Sequence, residues 1–294
     1  MPKKRPLFFV LATLILMLSA GQTPALCSTE VVPEKGSLVI IGGAMHDPAI
    51  LERFMELAGG PEALVVVIPT AGGADHYDQN WRGLRRFREA GFKNLVVLHT
   101  YERSTADSEK FVEPITKAGG VFFGGGRQWR LADSYLNTRT HKELFALLDR
   151  GGVIGGSSAG ATIQGSYLVR GDTKTNTIMM GDHTEGLGFL KDTGIDQHLL
   201  KRNRQFDMLE VMEAFPALLG IGIDEDTAIV VNGDRFEVIG QGYVAIYDSN
   251  SHIPPSGAFC FLAPGDRFDL KTRKAVRPVR TFQPLECVKP IEKK

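Results

Sequence analysis

The sequence predicts an α/β protein built on a doubly wound, mostly parallel sheet and extended by C-terminal β-hairpins. Three observations predict it. In the first half of the chain, continuously apolar runs such as Leu64-Val65-Val66-Val67-Ile68 alternate with segments of helical spacing; uninterrupted apolar runs of strand length belong to a sheet covered on both faces. Several runs end in glycine clusters: Gly42-Gly43, Gly72-Gly73 and Gly124-Gly125-Gly126. The last third changes to short strands separated by turn signals, Asn232-Gly233-Asp234 foremost.

At the N-terminus, Lys3, Lys4 and Arg5 precede an apolar run from Leu7 to Leu18, followed by small and polar residues. This is the layout of a secretory signal peptide, too short for a membrane span. Residues 1–27 are assigned to it, with cleavage after Ala25 or Cys27, and a secreted or periplasmic location is expected. An uncleaved leader is the alternative and the sole attachment to a membrane that this reading contains. Residues 28–294 read as one α/β domain, since no repeat or long linker interrupts them.

Strands are expected at Leu38–Ile41, Leu64–Ile68, Leu95–Leu98 and Val121–Phe123, with Val153-Ile154 leading into a tight turn. Helical spacing marks Ile50–Ala58, Trp81–Ala90 (a basic amphipathic segment), His141–Leu148 and Leu199–Phe215. Short strands at Ile221–Ile223, Ala228–Val231, Phe236–Ile239 and Tyr243–Tyr247, and a hairpin within Asp266–Ala275, are expected to extend the same sheet. Right-handed crossovers place helices on both faces of such a sheet, and its sites form at the carboxyl ends of the strands. That rule gathers the glycine clusters on one edge.

The composition is that of an ordinary globular protein, 43% hydrophobic and 23% charged. Once the three basic leader residues are set aside, the formal charge is −3, without the basic excess that nucleic-acid binding requires. Beyond the leader stand two cysteines, Cys260 and Cys287. In an oxidising compartment they are able to pair, whereas Phe259-Cys260-Phe261-Leu262 also suits a core thiol. Their spacing supports no zinc site, so no metal and no cofactor is expected.

Gly155-Gly156-Ser157-Ser158-Ala159-Gly160-Ala161 follows the run Gly152-Val153-Ile154 and precedes a small-residue helix start. Strand, tight turn, serine and helix make a nucleophile elbow, and Gly156-Ser157-Ser158-Ala159-Gly160 places Ser158 at its centre. A plain Gly/Ser turn or a phosphate loop is the competing reading. A serine nucleophile needs a base and an orienting acid. His198, in Ile195-Asp196-Gln197-His198, is the leading base, with His46 and His183 next. The acid is one of Asp224, Glu225 and Asp226, among which residue chemistry alone does not choose. Ala159 N–H and a glycine N–H of Gly125 or Gly126 are candidate oxyanion donors.

These motifs, in order and spacing across roughly residues 36–250, resemble the cyanophycinase branch of the S51 serine peptidases: Gly155–Ala161, Asp196-Gln197-His198, Arg202 with Arg204, and Gly222–Ala228. The resemblance implies a flavodoxin-like, class I glutamine-amidotransferase-like fold. It implies Ser158 as nucleophile, His198 as base and Glu225 as orienting acid, with an oxyanion hole at Gly125 or Gly126 and Ala159. It makes Gln128, Asp196, Gln197, Arg202 and Arg204 substrate-binding residues. The expected activity is that of a secreted serine exopeptidase that hydrolyses cyanophycin to β-Asp-Arg dipeptides through an acyl-enzyme.

The partner expected is thus a peptide or polymer, cyanophycin or aspartyl peptides; a homodimer is compatible with the reading. Arg202 and Arg204 are expected to clamp carboxylates, and Asp196 to receive arginine. One departure stands out: resembling cyanophycinases carry a further arginine where this chain has Asp207. That acid is expected to repel substrate carboxylates or to pair with Arg204. It keeps open a peptidase acting on other aspartyl peptides, similar to the Asp-X dipeptidases; a non-catalytic binding protein on the same scaffold is the remaining class.

Overall fold

The computed structural model describes Met1 and residues 34–249 and 257–278. The leader, Cys27 and Cys287 lie outside the described residues, and with them the expected cleavage and the Cys260–Cys287 pairing.

Strand and helix alternate from Ser37 onward: β1 (Ser37–Ile41), α1 (Pro48–Leu57), β2 (Leu64–Ile68), α2 (Arg85–Glu89), β3 (Asn94–Val97), α3 (Arg103–Ala106), α4 (Glu109–Lys117), β4 (Gly120–Phe123), α5 (Gln128–Tyr135), α6 (Arg139–Asp149), β5 (Val153–Ser157) and α7 (Ala159–Thr162). The later elements are β6 (Gly165–Tyr167), β7 (Leu190–Gln197), α8 (Met208–Ala214), β8 (Leu219–Ile223), β9 (Thr227–Asn232), β10 (Arg235–Gly240), β11 (Val244–Asp248), β12 (Cys260–Leu262), β13 (Arg267–Asp269) and β14 (Lys274–Val276). Local signals explain the entries: Asp47 caps α1 by accepting from Ala49 N–H at 2.9 Å, with Pro48 at the first helical position.

The larger sheet has the order β14-β13-β10-β9-β1-β5-β4-β2-β3. Strands β1, β5, β4, β2 and β3 are parallel, and β9 turns antiparallel against β1. Because side chains alternate along a strand, Val39 and Ile41 face α1 and α2, beside Phe54 and Phe87. Leu38 and Ile40 face the opposite layer, where α4, α5 and α6 supply Ile115, Leu131 and Leu147. Helices thus cover both faces of the mostly parallel sheet.

The expectation that every later strand joins this sheet is corrected. The hairpins β9–β10 and β13–β14 do extend it. Strands β8 and β11 instead belong to a second sheet of order β12-β11-β8-β7-β6. The reason lies in β7, Leu-Lys-Asp-Thr-Gly-Ile-Asp-Gln, whose polar residues hide a strand that β8 joins in parallel through residues 193–197 and 219–223. Ile195, Ile221 and Ile223 of this second sheet share one buried core with Leu38 and Ile40 of the first. The helix expected over Leu199–Phe215 is also shorter. Only Met208–Ala214 is helical, and the preceding residues form turns in which Asn203 takes φ 55° and Arg204 N–H donates to Leu199 C=O at 2.7 Å.

Candidate active site

The nucleophile elbow follows from the packing of β5 and α7. A Cβ at Gly160 would stand 2.1 Å from the carbonyl oxygen of Phe123, and one at Gly156 would stand 2.1 Å from that of Gly160. Only glycines let the turn close that tightly against β4. Ser158, between them, is held at φ 57°, ψ −112°, a conformation that costs a non-glycine residue about 1–3 kcal/mol. It leaves Ser158 half-exposed at the carboxyl end of β5.

His198 and Glu225 reach the same point from the second sheet, at the ends of β7 and β8. Ser158 Oγ lies 2.9 Å from His198 Nε2, and His198 Nδ1 lies 2.7 Å from Glu225 Oε1. With the Nδ1 proton donated to the carboxylate, Nε2 carries the lone pair that accepts from the serine hydroxyl. Gly43 makes room for the ring: a Cβ there would lie 2.3 Å from His198 Cε1, and its φ of 146° is one that L side chains rarely adopt. Burial lowers the His198 pKa below the usual 6.5; Arg202 and Arg204 push in the same direction, while Glu225 pulls it back up.

Backbone bonds fix the three segments to one strand. Ser158 N–H donates to Ile41 C=O at 3.0 Å, His198 N–H to Gly42 C=O at 2.8 Å and Asp226 N–H to Gly43 C=O at 2.8 Å. The acidic triplet divides its labour. Asp224 Oδ1 accepts from Leu200 and Lys201 N–H, both at 3.0 Å, and holds the turn after His198. Asp226 Oδ1 accepts from His46 N–H at 2.5 Å and Asp47 N–H at 2.9 Å, and holds the loop after β1. Glu225 is the acid on the histidine.

The two lower-ranked histidines lie elsewhere. The His46 side chain is exposed, and His183 sits between Asp133 and Asp182 at 2.8 and 3.2 Å. Gly125 stands against the nucleophile, since a Cβ on it would come 3.3 Å from Ser158 Cβ. Gly126 is turned away, its Cβ position being 2.0 Å from the Ala71 carbonyl oxygen. Ala159 opens α7, where the first N–H groups have no acceptor within the helix.

The expected substrate-binding residues separate into two groups. Arg202 is exposed. Gln128, Asp196, Gln197 and Arg204 are all buried. The Gln128 amide donates to Val169 and Arg170 C=O at 2.9 and 2.8 Å, and Arg204 Nη1 donates to Gln197 Oε1 at 3.0 Å. For Asp196, the expectation that it receives substrate arginine is corrected: it has no exposed surface, and both its oxygens are taken by Arg170 of this chain at 2.8 Å. Asp207 does not pair with Arg204 either. Its Oδ2 accepts from Arg170 Nη2 at 2.7 Å.

Arg170 is the residue that sequence reasoning missed. It is 1% exposed, and it also donates from Nη1 to Asn176 and Thr177 C=O at 3.3 Å. Burial opposes its charge, but Asp196 and Asp207 outweigh it and raise the pKa further. Its only sequence signal was an arginine between Val169 and Gly171, and nothing there announced a distant pair of acids. Among the described residues no group of three or more His, Cys, Asp or Glu side chains is arranged to hold a metal ion.

A strained serine at a strand-to-helix elbow, joined through histidine to a carboxylate on an α/β scaffold, defines the serine-hydrolase class. The comparisons narrow it. Residues 38–239 match the model of peptidase family S51. The chain is 34% identical over 224 residues to a cyanophycinase of Geminocystis herdmanii, covering 74% of this chain and 82% of the relative. It is 32% identical over 267 residues to a cyanophycinase of Nostoc, covering 83% and 89%. Among solved structures it is similar to a peptidase from an acI-B1 actinobacterium, with a TM-score of 0.63 and 25% identity over 81% of this chain and 98% of that one. A putative peptidase E from Listeria monocytogenes shares the fold, with a TM-score of 0.52 and 15% identity over 71% and 100%. The chain belongs to peptidase family S51 and is a serine-type peptidase.

A histidine acting as base must be neutral to accept a proton, so with His198 in that role its lowered pKa predicts an acid limb of kcat/KM below pH 6.5; an acid limb lying above that value would contradict the role. Asp207→Arg is expected to destabilise the fold by about 1–2 kcal/mol, because it removes a carboxylate from Arg170 and sets a like charge beside it at a partly exposed position. Denaturant melts check this, and unchanged stability would show that Asp207 does not support Arg170.

Proposed function

We propose that this chain is a serine exopeptidase of the cyanophycinase type, which hydrolyses cyanophycin to β-Asp-Arg dipeptides through Ser158, His198 and Glu225. The unbroken hydrogen-bond path from Ser158 Oγ through His198 to Glu225 Oε1 carries the catalytic part of this reading. The cyanophycinase relatives support the substrate.

In the mechanism, Ser158 Oγ attacks the scissile carbonyl while His198 Nε2 takes its proton, and Glu225 stabilises the imidazolium and keeps it oriented. The Ala159 N–H at the start of α7 and the N–H of Gly125 are the proposed donors to the oxyanion; Gly125 is preferred to Gly126 because of its closeness to Ser158. His198 then protonates the departing amine, and the acyl-enzyme is hydrolysed by a water that His198 deprotonates in turn. No step in this scheme calls on a metal ion or cofactor. Residues 1–27 are proposed as a leader that directs the peptidase out of the cytoplasm, on the strength of Lys3, Lys4 and Arg5 ahead of Leu7–Leu18; the intact mass of exported protein reads whether they are removed.

A second reading is favoured by one observation. Asp207, where cyanophycinases that resemble this chain carry arginine, is committed to Arg170. The site therefore has one basic contact fewer for a substrate carboxylate and suits smaller aspartyl peptides. Incubation with insoluble cyanophycin beside a panel of α- and β-aspartyl dipeptides, with products identified by mass, separates the two. The expected result is release of β-Asp-Arg by the wild type and none by Ser158→Ala. Cleavage confined to free dipeptides would replace cyanophycin by the second reading, and full turnover by Ser158→Ala would remove the nucleophile.

A further inference from the structure

A cleft of about 660 Å³ opens beside the elbow, on the α2 side of the larger sheet. Its inner end meets Gly124, Gly125 and Ser157, one residue from the nucleophile, and Phe87 and Phe122 lie along it. Its outer wall carries Arg82, Arg85 and Arg86 from α2 and the turn before it. This is the basic segment that the sequence shows and that the catalytic machinery leaves unused.

The three arginines differ in what they already hold. Arg85 pairs with Glu89 at 3.5 Å, both strongly exposed, and Glu89 also lines the cleft. Among the described residues, Arg82 and Arg86 have no ion-pair or hydrogen-bond partner for their guanidinium groups. An unpaired guanidinium at the surface is ordinary. Two of them in an aromatic-lined cleft that reaches Gly125 and Ser157, next to Ser158, form a fork-shaped donor set matched to carboxylates. With Arg85 and Glu89 paired, the charge left free in the cleft is that of Arg82 and Arg86.

We infer that Arg82 and Arg86 form a binding subsite for free carboxylate groups on the portion of a peptide substrate that lies beyond the scissile bond, along the α2 cleft. This rests on the cyanophycin and aspartyl-peptide readings above and deepens them, because it supplies basic contacts for free carboxylates on the α2 side of the sheet; in cyanophycin these are the arginine carboxylates, the aspartate side chains being amidated. The loss of a basic residue at position 207 then does not leave the chain without means to hold a substrate carboxylate.

The test is binding without turnover. Ser158→Ala protein is titrated with fluorescein-labelled tetra-aspartate by anisotropy, with labelled tetra-asparagine as the neutral comparison, at low and at physiological salt. The subsite predicts that tetra-aspartate binds more tightly than tetra-asparagine and that added salt weakens it. It also predicts that Arg82→Gln with Arg86→Gln weakens the aspartate peptide about tenfold, the loss expected when charge-assisted bonds are removed. Arg82→Lys with Arg86→Lys, which keeps the charge, recovers part of the affinity, and thermal melts verify that each variant is folded. Equal affinity for the two peptides, or an unchanged affinity in the folded glutamine variant, overturns the subsite. The readout does not depend on catalysis, so failure here is distinguishable from failure of the cyanophycin assay.

Discussion

The active-site geometry depends on the exit of β1. Three consecutive carbonyls, of Ile41, Gly42 and Gly43, receive the backbone N–H groups of Ser158, His198 and Asp226. Each of those three donors sits at positive φ, 57°, 54° and 56° respectively. Positive φ is uncommon for residues other than glycine, and the shared strand end holds all three in it. Ser158, His198 and the Glu225-Asp226 turn therefore take their relative positions from one short piece of backbone, although they come from two sheets far apart in sequence.

The second constraint is electrostatic. Arg170 sits inside the protein and gathers Asp196, Asp207 and the carbonyls of Asn176 and Thr177. Asp196 lies two residues before His198, so this buried cluster fixes the strand end from which His198 projects. A buried ion pair is retained at considerable desolvation cost, and it contributes here by holding β7, the loop after β6 and the turn before α8 in one arrangement. The same pairing explains how an acid is accommodated at position 207. Asp207 is directed inward by a partner that local sequence does not reveal.

Much of this was readable in the sequence. Four of the five parallel strands stood out because each carries an apolar run, the fifth, β5, showed only Val153-Ile154 ahead of its glycines, and Asn232-Gly233-Asp234 marked the β9–β10 turn. Ser158 was identifiable from its glycine spacing, since Gly156 and Gly160 are required by local contacts. What stayed hidden depends on distant partners. Strand β7 has too few apolar residues to announce itself, so the second sheet was missed and β8 was assigned to the first. Asp224, Glu225 and Asp226 are chemically near-equivalent in sequence, and only the groups facing them separate their tasks. Asp196 was expected to bind substrate on the family resemblance, and nothing in the local sequence showed that Arg170 occupies its carboxylate. The basic character of residues 81–90 was evident, but its position beside the elbow follows from the sheet order.

The most direct test of the central claim, that the Ser158 hydroxyl is activated by His198, is covalent trapping. The protein is treated with a fluorophosphonate, digested, and the modified residue located by mass spectrometry. The account predicts a single adduct on Ser158, forming at a rate that rises with deprotonation of a histidine below pH 6.5 and collapsing in His198→Ala. An adduct on the neighbouring Ser157, or labelling of Ser158 that is indifferent to His198, would contradict it.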